Sequence, residues 1–228
     1  MSSYALFGSL GNLCCNLRKM HIVADASSGP KVVLAHGAGS HLEHPTLLWL
    51  SEIVREAGGS VVRFNFGYRE AGKSMPDRMP KLVEEYREVV REIQPAVIGG
   101  HSMGGRVASM LLAEEPVASG LLLFGYPLHP PDKPHQLRAD HLPKIQVPVL
   151  QLSGTEDEFC RRDLMEEVHA GLDHDLWRLT WLNGARHSYS VKKSSGSSKI
   201  EIRRTMLDAV RTWLRALQVT ENLKELNR

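Results

Sequence analysis

Ala96-Val97-Ile98-Gly99-Gly100-His101-Ser102-Met103-Gly104-Gly105-Arg106, followed by the apolar stretch 107–113, is the part of this sequence whose reading decides the fold. Residues 96–98 have the β-branched, apolar character of a short strand buried on both faces, and residues 107–113 continue as an apolar helix. Between them stands Gly-x-Ser-x-Gly. A serine held between strand and helix sits on a strained turn so tight that side chains on its neighbours collide, which accounts for Gly100 and Gly104. The turn pushes Oγ of Ser102 into the open. It also leaves the N–H of Met103 at a helix start, where unpaired donors and the helix dipole favour negative charge.

Outward from this stretch the same grammar repeats. Residues 32–35, 61–64, 121–124 and 149–152 read as further strands buried on both faces. Leu82, Val83, Tyr86, Val89, Val90 and Ile93 share one helical face, as do Ile202, Met206, Ala209, Val210, Trp213, Leu214 and Leu217. Alternating strands and helices predict an α/β fold with a mostly parallel sheet, helices on both faces, and ligands bound at the carboxyl ends of the strands.

The residues after those strand ends are the informative ones. His36-Gly37-Ala38-Gly39 follows strand 32–35, and its glycines let the backbone turn so that the N–H of Ala38 joins that of Met103 in an oxyanion hole. Gly154-Thr155-Glu156-Asp157-Glu158 follows strand 149–152, and Gly184-Ala185-Arg186-His187-Ser188 follows the strand-like residues 179–182. A serine hydroxyl needs a base within hydrogen-bond reach and an acid that holds the base's tautomer. His187 is the expected base and Asp157 the expected acid, with Glu156 as the fallback. The chain order Ser, Asp, His is that of α/β-hydrolases and differs from the chymotrypsin and subtilisin orders.

Composition narrows the rest. At 228 residues the chain fits one α/β domain spanning 1–228, with antiparallel edge strands within 1–30 (at 4–7 and 20–23) and a polar tail at 220–228. A net charge of +2 with no long basic run gives no electrostatic case for nucleic acid. No apolar run reaches the roughly 18 residues of a membrane span, and residues 4–15 lack the leading positive charge of a secretory signal. Three cysteines, Cys14, Cys15 and Cys160, suit a reducing compartment, and a cytoplasmic protein is expected. Adjacent Cys14 and Cys15 lack zinc-ligand spacing, and His41 with His44 lacks a third ligand, so neither metal nor cofactor is expected.

Between strands 121–124 and 149–152 only residues 126–148 are free to form a lid, too few for a lid domain. This predicts an open, shallow site for a small-molecule acyl ester, short-chain or exposed, bordered by Tyr126, His129 and His135. A thioesterase or amidase would use the same residues, and a catalytically silent binding module would keep the same fold.

At these motifs the chain resembles the α/β-hydrolase-like family that includes the vertebrate testis-expressed protein thirty and the hydrolase-like domain of a subunit of the NSL histone-acetyltransferase complex, within the dienelactone-hydrolase-like serine hydrolases. The resemblance runs from about Val32 to Trp213. It rests on Leu34-Ala35-His36-Gly37-Ala38-Gly39, Arg63-Phe64-Asn65-Phe66, Gly100 to Arg106, Tyr126-Pro127-Leu128-His129-Pro130, His135-Gln136-Leu137-Arg138, Ser153-Gly154-Thr155-Glu156-Asp157 and Ala185-Arg186-His187-Ser188. It implies the fold and the placement of Ser102, Asp157 and His187. Where some relatives carry lysine or arginine before the nucleophile this chain has His101, the residue common in active esterases and lipases.

Overall fold

The computed structural model describes residues 20–25, 28–192 and 195–226; the segment 4–7 expected as an edge strand, and Cys14 and Cys15, lie outside them. Seven strands form one sheet: β1 (Ile22–Ala24), β2 (Lys31–Ala35), β3 (Ser60–Phe64), β4 (Val97–His101), β5 (Gly120–Phe124), β6 (Val149–Gly154) and β7 (Trp177–Leu182). Helices α1 (Pro45–Glu56), α2 (Gly67–Glu70), α3 (Met79–Ile93), α4 (Met103–Glu114), α5 (Arg162–Ala170) and α6 (Lys199–Leu226) alternate with them. The strand order is β1-β3-β2-β4-β5-β6-β7. Only β1 runs antiparallel, pairing Val23 with Arg63. The α/β architecture with a mostly parallel sheet expected from the alternating pattern is the one observed, and helix α6, whose apolar face reads to Leu217 in the sequence, extends to Leu226.

Period-two side-chain alternation explains why the central strands are apolar throughout. Val33 and Ala35 of β2, with Leu121 and Leu123 of β5, pack on one face against Leu82, Tyr86 and Val89 of α3 and Val107 and Leu111 of α4. Val32 and Leu34, with Leu122 and Phe124, pack on the other against Leu50 and Ile53 of α1 and Met206, Val210 and Trp213 of α6. Each such side chain contributes about 1.5–3 kcal/mol by leaving water. Where both faces are apolar, a one-residue slip is not penalised by polarity, so steric fit must set register. Ala35 pairs with Gly100, and a Cβ on Gly100 would stand 2.4 Å from the Ala35 carbonyl oxygen.

The functional ends of β2, β4, β6 and β7 therefore come to one edge. Between β5 and β6 the chain forms only a loop with a single 3-10 turn at Leu142–Lys144, so this segment supplies no lid domain at that edge. Among the described residues no helix is long and apolar enough to cross a membrane.

Candidate active site

Ser102 occupies the turn between β4 and α4 with φ 51° and ψ −117°, a left-handed conformation that a side-chain-bearing residue rarely adopts. What holds it there is close packing. A Cβ on Gly104 would lie 2.3 Å from the Ala35 oxygen, and one on Gly105 would lie 2.8 Å from the Gly100 oxygen. Glycine at these positions lets the turn press against the end of β2, and Ser102 N–H donates to the Phe124 carbonyl at 2.9 Å on the other side. The Met103 N–H, at the start of α4, has no hydrogen-bond acceptor among the described residues.

Two loops converge on the hydroxyl. His187 Nε2 stands 2.8 Å from Ser102 Oγ across 85 residues of sequence, and its Nδ1 stands 2.9 Å from both carboxylate oxygens of Asp157. Since a carboxylate only accepts, Nδ1 carries the proton and Nε2 faces the hydroxyl as acceptor. The Asp157 side chain is fully buried, while that of His187 keeps 13% of its surface open to solvent. Phe159 N–H donates to Asp157 Oδ1 at 2.8 Å, and the Phe159 ring packs on His187 with centroids 4.4 Å apart. Glu156 is exposed and its backbone N–H donates to the Ala185 carbonyl, so of the two neighbouring acids Asp157 is the one turned inward.

The loop after β2 is clamped from β3. Phe66 N–H donates to His36 Nε2 at 3.3 Å, which leaves the proton on Nδ1, and Nδ1–H donates to the Gly37 carbonyl at 2.8 Å. Ser40 N–H also reaches that carbonyl, with Gly39 at φ 68° closing the turn. The Gly37 carbonyl and the Ala38 N–H belong to one planar trans peptide, so turning the carbonyl inward aims the N–H outward. Among the described residues that N–H has no acceptor, and a Cβ on Gly37 would stand 3.5 Å from Ser102 Cβ, which places the loop against the nucleophile turn. Farther along, Leu42 N–H donates to Asn65 Oδ1 at 2.8 Å and Arg63 Nη1 to the Leu42 carbonyl at 2.9 Å. Arg63-Phe64-Asn65-Phe66 thus acts as a brace, a role invisible in local periodicity.

Burial pushes the His36 imidazole down to about 4, and burial with the neighbouring His187 does the same to His101. Both are neutral in the fold at pH values where the unfolded chain, titrating near 6.5, binds protons. Their contribution to stability is complete above pH 6.5 and is lost as pH falls toward 4, at about 1.4 kcal/mol per pH unit for each. Urea unfolding followed from pH 7 to pH 4 is expected to show that decline. His36→Asn, which keeps a donor near Nδ1 but does not titrate, is expected to make it shallower.

The remaining sequence candidates are placed differently. Tyr126 and His129 do not border the site, because both are buried and their polar atoms serve the scaffold. Tyr126 OH donates to the Arg138 carbonyl. His129 Nδ1–H donates to the Pro130 carbonyl at 2.8 Å, while its Nε2 accepts from Arg161 N–H at 3.1 Å, tying the β5–β6 loop to the segment after Asp157. His135 is exposed on that loop and makes no hydrogen bond to the Ser102 cluster. His44 caps α1 by accepting from Thr46 N–H, and the Cys160 thiol, buried near Asp157, is pushed up to about 12 and stays protonated. Among the described residues no group of three or more His, Cys, Asp or Glu side chains is placed to hold a metal ion. A cavity of about 650 Å³ lined by Met20, Gly67, Glu70, Lys81 and Glu85 includes none of the site residues.

A strand-end cluster of this kind invites comparison with known proteins, and residues 28–215 match the profile of the alpha/beta hydrolase domain. The chain belongs to the alpha/beta hydrolase family. Among solved structures, this alpha/beta hydrolase is similar to an alpha-beta serine hydrolase homologue from Coxiella burnetii, at 18% identity and TM-score 0.65 over 83% of this chain and 90% of the other. It is similar to a serine hydrolase without lid from Xanthomonas campestris, at 18% identity and TM-score 0.65 over 85% and 89%. A dienelactone hydrolase from Anabaena variabilis aligns at 17% identity and TM-score 0.63 over 86% and 90%. At such identities the likeness is one of fold. Within this alpha/beta hydrolase, three strand ends supply the candidate residues: β4 for Ser102, β6 for Asp157 and β7 for His187.

Proposed function

We propose that this alpha/beta hydrolase is a serine hydrolase that transfers acyl groups from short-chain or exposed esters to water. The observation that carries the reading is the continuous hydrogen-bond relay from Ser102 Oγ to His187 Nε2 at 2.8 Å and from His187 Nδ1 to Asp157 at 2.9 Å, seated on a strained turn. Ser102 Oγ attacks the ester carbonyl while His187 Nε2 takes its proton. Asp157 remains ionised and stabilises the imidazolium that forms. Negative charge gathers on the former carbonyl oxygen, for which the unpartnered Ala38 and Met103 N–H groups are the donors; each donor of this kind is worth about 3–4 kcal/mol of barrier. Collapse expels the alcohol with the proton from His187, and water, deprotonated by the same imidazole, then releases the acid.

Support for small or exposed acyl groups comes from the loop between β5 and β6, whose only regular element is the short turn Leu142–Lys144, and from the similarity to a serine hydrolase described as lidless. Within the family we place the chain beside testis-expressed protein thirty and the hydrolase-like NSL subunit, on the motifs from Leu34 to Ser188 that carry that resemblance.

A fluorophosphonate probe applied to the purified protein tests the reading, since it reacts with an activated serine. Wild type is expected to label and Ser102→Ala not to. A folded wild type that stays unlabelled would reverse the assignment in favour of a silent binding module. Turnover on matched ester, thioester and amide substrates then separates the hydrolase classes that share these residues.

A further inference from the structure

We propose that His101 is a positioning residue: its Nε2–H holds the carbonyl of His187 and so ties the loop that carries the base to the strand that carries the nucleophile. The inference rests on the serine-hydrolase reading above and concerns a residue to which that mechanism gives no task.

The contacts single His101 out. It is the last residue of β4, directly before Ser102, and its Nε2 lies 3.1 Å from the His187 carbonyl oxygen. A carbonyl only accepts, so the proton is on Nε2. The ring sits 5.2 Å from the His187 ring and 6.1 Å from Tyr189, with Gly37 closing one side and Gly125 the other. A Cβ on Gly37 would stand 3.2 Å from His101 Nδ1, and one on Gly125 would stand 3.6 Å from Nε2. The imidazole is therefore wedged between the loop after β2, the start of the β5–β6 loop and the base loop.

The other bonds around His187 do a different job. Arg186 N–H to the Ser190 carbonyl, Tyr189 N–H to the Arg186 carbonyl and the bridge of Ala185 with Val191 shape the base loop from within. Tyr189 OH anchors it to β6 through the Leu152 carbonyl at 3.1 Å. Among the described residues, the hydrogen bond from His101 is the backbone attachment of that loop to β4. Misplacing a catalytic group by an ångström costs about a hundredfold in rate, so an attachment one residue from the nucleophile matters.

The group must also be uncharged while His187 is charged. His187, Asp157 and His44 act on the ring electrostatically, and the Tyr189 ring packs beside it. Burial, then the like-charge effect of His187, outweighs the opposing effects of the hydrogen bond to the His187 carbonyl and of Asp157, and holds His101 down to about 4. A fixed cation in its place would disfavour the imidazolium that forms on His187 and lower that residue's affinity for protons.

Three variants test this: His101→Gln, whose amide donates from about the same place as Nε2, His101→Leu, which cannot donate, and His101→Lys, which adds charge. His101→Leu is expected to lower kcat about 10–100-fold with little change in KM. His101→Gln is expected to recover most of that loss, and His101→Lys to move the acid limb of the kcat/KM profile about one pH unit lower. Thermal melting of each variant identifies any that fails to fold, and His101→Gln and His101→Lys remain informative if His101→Leu does. Equal kcat in the Leu and Gln variants, or a Lys profile superimposable on wild type, would overturn the proposal while fluorophosphonate labelling of Ser102 left the hydrolase reading standing. Absence of labelling in wild type removes both.

Discussion

Asp157→Asn is expected to lower kcat on an ester substrate about 10⁴-fold, and Glu156→Gln to leave it near wild type. The two acids are neighbours in sequence and opposites in place. The Asp157 carboxylate is buried with both oxygens 2.9 Å from His187 Nδ1, whereas Glu156 is exposed. An amide at position 157 can turn its own NH₂ toward the ring, which favours the tautomer with its proton on Nε2 and removes the acceptor that Ser102 needs. Steady-state rates for the two variants, with circular dichroism to establish that both fold, measure the contrast. A comparable loss in Glu156→Gln would overturn the choice of acid.

The second large effect is on stability, from Gly104→Ala. By helix propensity alone alanine is preferred to glycine by about 1 kcal/mol, and Gly104 lies in the first turn of α4. Here the added methyl would meet Ala35 backbone atoms at 2.3 and 2.5 Å, in the centre of the sheet where β2 is held by β3 and β4 on either side. Backbone so held cannot give way as a flexible side chain does. Overpacking is therefore expected to prevail, with a net loss of about 3 kcal/mol and a melting temperature lower by roughly 6–12 °C. Gly171→Ala is the control, because beyond its chain neighbours a methyl there comes no closer than 3.5 Å, to the Val168 carbonyl oxygen, and φ is −92°; it is expected to change the melting temperature by little. The Gly104 shift would also displace Ala35 and with it the His36 to Gly39 loop, so loss of stability and of serine labelling should appear together in that variant.

How much of this was legible in the chain follows from which interactions are local. Strands buried on both faces read as short, continuous apolar runs and an amphipathic helix as an apolar period of 3.6 residues, so residues 32–35, 61–64 and 121–124 announce strands and Leu82 to Ile93 a helix before any contact is known. The glycines around Ser102 are legible for a related reason: a tight strand-to-helix turn restricts what its immediate neighbours can be. The sequence by itself therefore determined the parallel architecture, the serine on its strand-to-helix turn and the strand ends at which partners had to be sought.

Loop side chains carry no periodicity, and where each one points is set by contacts tens of residues away. Tyr126 and His129 lie in a Pro-rich segment that reads as a border of the substrate site, yet the fold buries both and uses them to fasten one loop to the next. Arg63 and Asn65 stand in the sequence only as part of a motif that carries the family resemblance, but they hold the loop that presents Ala38, across 21 and 23 residues. Phe159 on the face of His187 and the His101 bond to its carbonyl had no local signal at all. Only the tertiary structure decided which acid faces inward, which histidine is held neutral and that a hydroxyl and an imidazole 85 residues apart meet at 2.8 Å, because those outcomes depend on how separate strand ends are brought to one edge of the sheet and not on the residues beside them in the chain.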